Sequence, residues 1–312
     1  MTSMTREATV GVEHWLTKQH NTGPIRLFAW EKFLPSNEGA FAGTVLLVHG
    51  SSMASTPTFD LQVPGYGDEY SLMDTLARAG YDVWCFDCEG YGRSDKTRDS
   101  HFYVADGADD AEAVCEYIRG VRGAGNFLMF GASSGAIRAS MLAERRPDLV
   151  KRMVLDAFVW TGKGSPTLEE RRKRLPELLK TPRRPVDLAF VRSIFTRDHP
   201  GTADDAVIEA FAEAITALDD SVPNGTYIDM CQNLPLVDPR KIDVPVMITR
   251  GQYDGVAGFD DLIEFFKLLP NPEKHFAVMP GSAHSSLHEK NFRSTFHVIV
   301  SYFSQPDPVY VG

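Results

Sequence analysis

Cysteine is scarce in this sequence, with four residues among 312, which is too few for a scaffold held together by disulfides. Two of them form a Cys85-x-x-Cys88 spacing, which also occurs at thiol redox sites. A redox pair of that kind opens a helix. Here the residues lie in an apolar strand pattern, where side chains three positions apart point to opposite faces. We therefore predict structural cysteines in a reducing, cytoplasmic setting.

The sequence also lacks long apolar runs and an excess of positive charge. No stretch approaches the ~18 apolar residues of a membrane-spanning helix, and Met1–Val10 contains no apolar run that could serve as a signal peptide. The 32 Lys and Arg residues against 42 Asp and Glu residues give a formal net charge of -10, the opposite of the basic surface that binds nucleic acid. We expect neither a membrane span nor a nucleic-acid partner.

The sequence does contain a regular alternation of strand and helix patterns. Two strand patterns, at 11–18 and 25–33, come first, and short apolar runs then alternate with segments of helical spacing. Such alternation predicts an α/β fold with a parallel sheet and helices on both faces. The later predicted strands are 43–48, 81–86, 126–130, 150–155, 244–249 and 276–279, and the predicted helices are 69–79, 106–122, 134–146, 259–269 and 289–303.

One long segment interrupts this alternation. Residues 162–234 are polar and helical in pattern and contain no run typical of a buried strand. We therefore predict a core domain of residues 1–160 and 235–312, with a helical cap, or lid, of residues 161–234 inserted after the sixth strand. The charge run Glu169–Arg174 within the cap is interpreted as a solvated helix face.

The clearest chemical signal is Gly131-Ala-Ser-Ser-Gly135, which fits the pattern G-x-S-x-G. An apolar strand pattern precedes it, and a helix pattern with small residues at Gly135, Ala136 and Ala139 follows directly. A serine on such a sharp strand-to-helix turn exposes its hydroxyl, and the flanking glycines allow the turn to close. This context predicts Ser133 as a catalytic nucleophile rather than as part of an ordinary turn.

A serine nucleophile needs a base near neutral pH and an acid that orients the base. His284 follows a strand pattern, on a loop at the sheet edge where catalytic groups of α/β proteins gather. Its rival, His288, lies at the start of the last helix pattern, and we predict His284. Two carboxylates, Asp254 and Asp156, follow strand patterns at the same edge. We predict Asp254 as the acid, with Asp156 as the alternative.

Acyl transfer also needs N–H donors for the developing oxyanion. The first predicted donor is the backbone N–H of Ser134, because it directly follows the nucleophile. The second should come from the loop after the third strand, where we predict the N–H of Ser51, with Ser52 as the alternative. His49 in that loop is interpreted as a support for the loop and not as the base.

In these motifs the chain resembles the α/β-hydrolase superfamily. The resemblance extends from about residue 43 to residue 303 and includes the family order of nucleophile, acid and base. It implies an eight-stranded, mostly parallel sheet whose first pairings are antiparallel, with the cap between the sixth and seventh strands. The motifs that carry it are His49-Gly50, Asp87-Cys-Glu-Gly-Tyr-Gly-Arg-Ser94, Gly131–Gly135, Gly251–Asp254 and Gly281–His284.

The resemblance also narrows the chemistry. Relatives that dehalogenate haloalkanes or open epoxides use an aspartate nucleophile, where this chain has Ser133. Carbon–carbon hydrolases of ring-cleavage products share the triad but usually carry G-N-S-M-G and H-G-S-G-P-G, where this chain has Gly-Ala-Ser-Ser-Gly and His-Gly-Ser-Ser-Met-Ala. We therefore expect a serine-dependent, carboxylesterase-type hydrolase of small to medium esters. A carbon–carbon hydrolase and a non-catalytic ligand-binding member are the alternatives.

The expected reactants are a small-molecule ester and water. We expect no metal and no organic cofactor, because the sequence has no metal-ligand motif and no phosphate-cradling loop. The cap should determine the choice of substrate. The predicted pocket walls are Phe158, Trp160 and residues 53–66.

Overall fold

The computed structural model describes residues 7–310, so the predicted ends of the core domain at residues 1 and 312 lie outside the described residues. The strands are β1 (Val10–Lys18), β2 (Ile25–Phe33), β3 (Thr44–Val48), β4 (Asp82–Phe86), β5 (Phe127–Ala132), β6 (Val150–Asp156), β7 (Arg183–Pro185), β8 (Ser221–Pro223), β9 (Val246–Gly251) and β10 (Lys274–Met279). Eight of them form the main sheet in the order β1-β2-β4-β3-β5-β6-β9-β10, and β7 pairs with β8 in a small separate sheet.

The main sheet is mostly parallel. The β1–β2 and β2–β4 pairs are antiparallel, and the other five pairings are parallel. The central strands are continuous apolar runs because both of their faces are covered, and Val45–Val48 of β3 is fully buried. The eight-stranded, mostly parallel sheet with antiparallel first pairings is therefore confirmed.

Helices cover both faces of this sheet. α3 packs against α4, and α2 packs against α11. Short 3₁₀ turns occur at Pro35–Asn37, Pro147–Leu149 and Pro239–Lys241. No helix within residues 7–310 is long and apolar enough to cross a membrane. The α-helices are α1 (Ser55–Phe59), α2 (Leu72–Arg78), α3 (Val104–Arg122), α4 (Ser134–Arg145), α5 (Pro166–Lys173), α6 (Leu175–Leu178), α7 (Leu188–Thr196), α8 (Asp205–Thr216), α9 (Gly225–Gln232), α10 (Phe259–Leu268) and α11 (Phe292–Phe303).

Several predicted helix ends are wrong by a few residues. α2 begins at Leu72 and not at residue 69, because the Ser71 side chain accepts a hydrogen bond from the Asp74 N–H and caps the helix there. α11 likewise begins at Phe292 and not at residue 289. Apolar spacing locates the body of a helix, whereas capping contacts determine its first residue.

The segment from residue 161 to residue 234, called the insertion below, lies between β6 and β9 in the chain and contributes no strand to the main sheet. It contains α5 to α9, as the helical pattern indicates. It also contains the antiparallel pair β7–β8, which the sequence analysis does not predict. Each strand has three residues and ends in proline, which is too short for an alternating pattern to be visible.

The predicted site residues follow the carboxyl ends of neighbouring parallel strands. Ser133 follows β5, Asp156 ends β6, Asp254 follows β9 and His284 follows β10. Because parallel strands end at a common edge, the sheet brings these four positions together although the first and the last, Ser133 and His284, are 151 residues apart in the chain.

Close backbone contacts hold the turn after β5 against its neighbours. A Cβ atom built on Gly135 would lie 2.1 Å from the carbonyl oxygen of Val48, and one built on Gly131 would lie 2.5 Å from the Cα atom of Ala136. Both distances are far below any tolerable contact, and the neighbouring atoms are backbone. Glycine is therefore required at 135 for the turn to pass so close to β3, and at 131 for the strand to pass so close to the start of α4.

We predict that Gly135→Ala destabilises the protein by about 2 kcal/mol or more, because the new methyl group displaces backbone of β3. The measurement is the free energy of unfolding in urea. The matched control is Gly120→Ala within α3, where a Cβ atom meets open space. This change should stabilise the helix by about 0.5–1 kcal/mol. Equal effects of the two substitutions would contradict the close-contact argument.

Candidate active site

Ser133 occupies a strained turn between β5 and α4. Its φ angle is 54°, in the left-handed region that residues other than glycine rarely adopt. The Ser133 N–H donates a hydrogen bond of 2.8 Å to the Asp156 carbonyl at the end of the adjacent strand. The turn is thus fixed by the sheet, and it presents the Ser133 hydroxyl at the sheet edge.

Ser133, His284 and Asp254 form one continuous hydrogen-bonded chain. The Ser133 Oγ lies 3.1 Å from His284 Nε2, and His284 Nδ1 lies 3.0 Å from both carboxylate oxygens of Asp254. Since a carboxylate can only accept, Nδ1 carries the proton and Nε2 is free to accept the hydroxyl proton of serine. The structure therefore brings together the three residues that the sequence predicts as a triad, in the geometry of a base-activated nucleophile.

The Asp254 carboxylate is buried, and hydrogen bonds stabilise its negative charge. Its Oδ1 accepts hydrogen bonds from the N–H groups of Val256 (2.8 Å) and Ala257 (3.0 Å). Burial alone would raise the pKa of Asp254, but the interaction with His284 and these donors outweighs burial and holds the pKa below its usual value. Asp254 is therefore ionised at neutral pH and can orient the imidazole.

Backbone contacts keep the acid loop against the base loop. The Gln252 N–H donates to the Met279 carbonyl (3.0 Å), and the Tyr253 N–H donates to the Ser282 carbonyl (2.9 Å). Gly251 approaches the other loop so closely that a Cβ atom there would lie 1.9 Å from the Ala283 carbonyl oxygen. These contacts fix the separation between Asp254 and His284.

Asp156, the alternative acid, has different partners. Its carboxylate accepts hydrogen bonds from the Thr249 hydroxyl (2.7 Å) and the Ser286 hydroxyl (3.2 Å to each oxygen). It is buried, and none of the cationic side chains within residues 7–310 lies at hydrogen-bonding distance from it. Burial, together with repulsion from Asp254, raises the pKa of Asp156 to about 7. Of the two predicted carboxylates, Asp254 is the one that contacts His284.

His288, the alternative base, is also buried near the site. Its ring packs against Phe211, with 4.6 Å between ring centroids, and also contacts Phe195. Burial lowers the pKa of His288 to about 4, so the ring is neutral. The other candidate base, His284, is the histidine that lies between the serine and the acid.

The loop after β3 passes directly beside the nucleophile. A Cβ atom built on Gly50 would lie 3.5 Å from the Cβ atom of Ser133. Ser51 and Ser52 line a small cavity together with Ser133 and His284. The backbone of this loop is therefore within reach of a group bound at the Ser133 hydroxyl. Ser134, the other predicted donor, is the first residue of α4, where a backbone N–H has no partner inside the helix.

Buried polar groups hold the loop after β3 in place. His49 Nδ1 donates to the Gly50 carbonyl (2.7 Å), and His49 Nε2 accepts from the Cys88 N–H (3.0 Å). Burial and the nearby Arg138 lower the pKa of His49 to about 3, so its ring is neutral. The Ser51 carbonyl accepts from the Tyr91 hydroxyl (3.2 Å). His49 is placed as a support of the loop.

Two small cavities adjoin the Ser133 hydroxyl. One has a volume of about 30 Å³ and the other about 20 Å³. The insertion supplies part of their walls, and Met53 lines both. The residues from the insertion are Phe211 in the larger cavity and Arg171, Ile194, Arg197 and Tyr227 in the smaller one.

The two aromatic residues predicted as pocket walls lie elsewhere. Phe158 and Trp160 both pack against Phe265, with ring centroids 4.7 Å and 5.8 Å away, and the Trp160 indole donates to the Val237 carbonyl. Neither is among the residues that line the two cavities at Ser133. Tertiary packing directs these side chains toward α10, which the sequence pattern alone does not indicate.

The interpretation of Glu169–Arg174 as a solvated helix face is wrong for Arg171 and Arg172, which are half-buried, and the Arg172 Nε donates to the Cys231 carbonyl (3.2 Å). The Arg171 guanidinium points inward and stacks on the Tyr227 ring, 3.6 Å from the ring centroid. Lys173 and Arg174 remain exposed. The sequence analysis missed Arg171 because its partner, Tyr227, lies 56 positions later in another helix of the insertion.

One group of three potential metal ligands occurs among residues 7–310. It consists of Asp198, Asp254 and His284, whose ligand atoms lie within 4.8 Å of one another. Both ring nitrogens of His284 are engaged with Ser133 and Asp254. The arrangement is explained by the hydrogen-bonded triad, and Asp198 is an additional carboxylate beside it that the sequence analysis did not identify.

Comparisons with known proteins agree with this architecture. The family model described as serine aminopeptidase, S33, a hydrolase family, matches residues 61–291. No curated protein matches the chain. Similar solved structures include an esterase from Exiguobacterium antarcticum, with 17% identity, a TM-score of 0.70 and coverage of 94% of this chain and 100% of that chain.

Two further solved structures cover most of the chain. An esterase from Thermogutta terrifontis, described with malate bound, has 20% identity, a TM-score of 0.64 and coverage of 92% of this chain and 96% of that chain. A 2-hydroxy-6-oxo-6-phenylhexa-2,4-dienoate hydrolase from Rhodococcus sp. strain RHA1 has 14% identity, a TM-score of 0.65 and coverage of 94% and 100%. At these identities the three structures show a common fold.

The raised pKa of Asp156 predicts a pH-dependent contribution to stability. In the folded protein the pKa of this carboxyl is about 7, against an ordinary value of 3.8. Between these values the folded chain holds a proton that the unfolded chain has released, so this group makes the protein less stable as pH rises from about 4 to 7. Asp156→Asn removes the effect. The stability of the variant relative to wild type should therefore increase across this range, by at most about 4 kcal/mol.

The measurement is urea unfolding of wild type and Asp156→Asn at several pH values between 4.5 and 8. A difference between the two free energies that grows with pH supports the buried protonated carboxyl. Parallel pH profiles would show that Asp156 is ionised in the folded protein and would overturn this assignment.

Proposed function

The chain belongs to the serine aminopeptidase S33 family of hydrolases with the α/β-hydrolase fold, and we propose that within this family it hydrolyses carboxylic esters through Ser133. The observation that carries the proposal is the hydrogen-bonded chain from Ser133 through His284 to Asp254, built on a strained turn. Such a chain converts a weakly nucleophilic hydroxyl into an attacking group at neutral pH.

The proposed reaction begins with attack of the Ser133 Oγ on the ester carbonyl carbon. His284 Nε2 takes the serine proton, while ionised Asp254 holds the imidazole and stabilises its positive charge. The N–H groups of Ser51 and Ser134 stabilise the oxyanion of the tetrahedral intermediate. Collapse of this intermediate expels the alcohol, which receives the proton from His284, and leaves an acyl group on Ser133. His284 then deprotonates a water molecule, whose oxygen attacks the acyl carbon. The bond from this carbon to the Ser133 Oγ breaks, Ser133 takes the proton back from His284, and the acid is released.

We also propose that the insertion is a cap that opens to admit the substrate. The two cavities at Ser133, of about 30 and 20 Å³, have room for little more than one water molecule each. An ester cannot reach the nucleophile unless the surrounding residues move. Since the insertion supplies walls of both cavities, its displacement is the simplest route of entry. Closure around the substrate would then exclude bulk water.

We expect Ser133→Ala to lower kcat for 4-nitrophenyl butyrate by about 10⁴-fold or more, because the nucleophile is removed. The matched control is Ser134→Ala. The Ser134 hydroxyl has no hydrogen-bond partner in the described structure, and the proposed donor is its backbone N–H, so its removal should cost far less. After treatment with an organophosphonate, mass spectrometry should find the adduct on the peptide that contains Ser133.

An adduct on another residue, or a fully active Ser133→Ala variant, would refute the nucleophile assignment. Asp254→Asn provides a second criterion and should lower kcat by about 10⁴-fold, because it stabilises the wrong imidazole tautomer. Weak turnover of esters combined with activity on a dienoic diketone acid would identify a carbon–carbon hydrolase instead. Absence of both activities, with a ligand-induced rise in melting temperature, would identify a non-catalytic binding protein.

We expect Phe211→Ala to shift substrate preference toward longer acyl chains. Phe211 belongs to α8 of the insertion and lines the larger cavity with Ser133 and His284, so its truncation enlarges that cavity. The ratio of kcat/KM for 4-nitrophenyl octanoate to that for the acetate should rise. The matched control is Phe195→Ala, because Phe195 is equally buried and contacts Phe211 but does not line either cavity. An equal shift in both variants would contradict the proposed role of the insertion.

A further inference from the structure

Three arginines from different parts of the insertion meet around one tyrosine. Arg171 comes from α5, Arg184 from β7 and Arg197 from the turn that follows α7, and Tyr227 belongs to α9. The guanidinium carbons of Arg171 and Arg184 each lie 3.6 Å from the centroid of the Tyr227 ring. Two groups at this distance from one centroid must occupy opposite faces, so the ring is held between two cations.

Part of this positive charge has no carboxylate partner. The charged and titratable groups that act most strongly on Arg171 are Tyr227, Arg197, Arg184 and Cys231, and none of these four is a carboxylate. Arg171 is half-buried, and desolvation together with repulsion from Arg197 and Arg184 lowers its pKa. In the described part of the chain, the three guanidinium groups face only the titratable phenol of Tyr227 and the Asp198 carboxylate beside Arg197, so positive charge is in excess. Such an excess is costly away from water, and a bound anion would balance it.

Arg184 and Arg197 differ in their partners. Arg184 Nη2 donates to the Ser51 carbonyl (2.6 Å) and the Ser52 hydroxyl (2.9 Å), which are neutral acceptors, so Arg184 already has a structural task. Arg197 Nε lies 3.4 Å from an oxygen of Asp198. Arg171 and Arg197 therefore retain donors that can bind an additional anion.

Arg171, Arg197 and Tyr227 lie between two cavities, one at the nucleophile and one farther out. Arg171, Arg197 and Tyr227 line the small cavity that also contains Ser133 and His284. The same three residues line an outer cavity of about 430 Å³. The outer cavity is basic although the whole chain carries a net charge of -10, because its lining includes Arg171, Lys173, Arg174, Arg184 and Arg197 against the single acid Glu170.

The state of Tyr227 indicates how strongly this place attracts negative charge. Burial opposes ionisation of the phenol, but the positive charges of Arg171, Arg184 and Arg197 outweigh burial and lower the pKa of Tyr227 to about 7. The Tyr227 hydroxyl lies 3.0 Å from the Ser52 hydroxyl, on the loop beside the nucleophile. An environment that ionises a buried phenol also favours an anionic substituent of a substrate.

We propose that the substrate is an ester that carries a free carboxylate, which Arg171 and Arg197 bind while the ester carbonyl lies at Ser133. The planar guanidinium group offers paired N–H donors that match the two oxygens of a carboxylate, which a single ammonium group does not. The inference rests on the proposed ester hydrolysis and specifies the class of ester. The acyl or the alcohol part of the substrate carries a negative charge, and the basic outer cavity attracts it.

The test compares two esters of equal length. One is the mono-4-nitrophenyl ester of glutaric acid, which has a free carboxylate, and the other is its neutral methyl ester. The wild-type enzyme should favour the anionic ester by at least about tenfold in kcat/KM. Arg171→Gln and Arg197→Gln should each reduce this ratio by at least about tenfold, mainly through KM, because they remove donors for the carboxylate.

The matched control is Arg174→Gln. It removes the same charge from the wall of the outer cavity, but Arg174 is exposed and does not line the cavity at Ser133. It should leave most of the preference for the anionic ester intact. If Arg174→Gln reduces the ratio as much as Arg171→Gln does, the preference arises from the general field of the surface and the proposed site is refuted.

The failure of this inference can be distinguished from the failure of the proposed function. If wild type hydrolyses both esters equally well and Arg171→Gln leaves the ratio of their kcat/KM values unchanged, the proposed ester hydrolysis is supported and the carboxylate site is refuted. If neither ester is hydrolysed, the proposed function fails, and calorimetry of glutarate with the Ser133→Ala variant decides the site. Binding with a Kd of about 1 mM or less, weakened about tenfold by a second change of Arg171→Gln, supports it, whereas no binding overturns it.

Discussion

The strained turn at Ser133 is the constraint on which the rest of the site depends. It exists because two glycines, Gly131 and Gly135, let the backbone pass against β3 and α4 at distances that no side chain tolerates. The hydrogen bond from the Ser133 N–H to the Asp156 carbonyl ties the turn to the next strand. A turn held by the sheet keeps the hydroxyl in place relative to His284, which reaches the same edge from a distant part of the chain.

The surroundings of two carboxylates at this edge shift their pKa values in opposite directions. Asp254 receives two backbone N–H donors and faces an imidazole, so its negative charge is stabilised. Asp156 is equally buried, and burial together with the charge of Asp254 raises its pKa to about 7 against the effect of its two hydroxyl donors. Ionisation of Asp254 thus helps Asp156 to keep its proton below about pH 7, where the imidazole interacts mainly with the charge of Asp254.

The sequence predicts the parts of this molecule that depend on local pattern. The apolar runs identify the sheet, and the setting of Ser133 identifies the turn, because both are encoded by neighbouring residues. The choice between Asp254 and Asp156 depends on the contacts between two loops, which no local pattern reports. Arg171 was interpreted as a surface charge for the same reason, since its partners come from three other elements of the insertion.

Arg184 connects the insertion mechanically to the loop beside the nucleophile. Its guanidinium group is stacked on Tyr227 on one side and hydrogen-bonded to Ser51 and Ser52 on the other. The insertion cannot lift away from the core without breaking these bonds or pulling the loop with it. The proposed opening of the insertion would therefore also displace the Ser51 backbone, the proposed oxyanion donor. Water that entered the open molecule would then meet an incompletely assembled site.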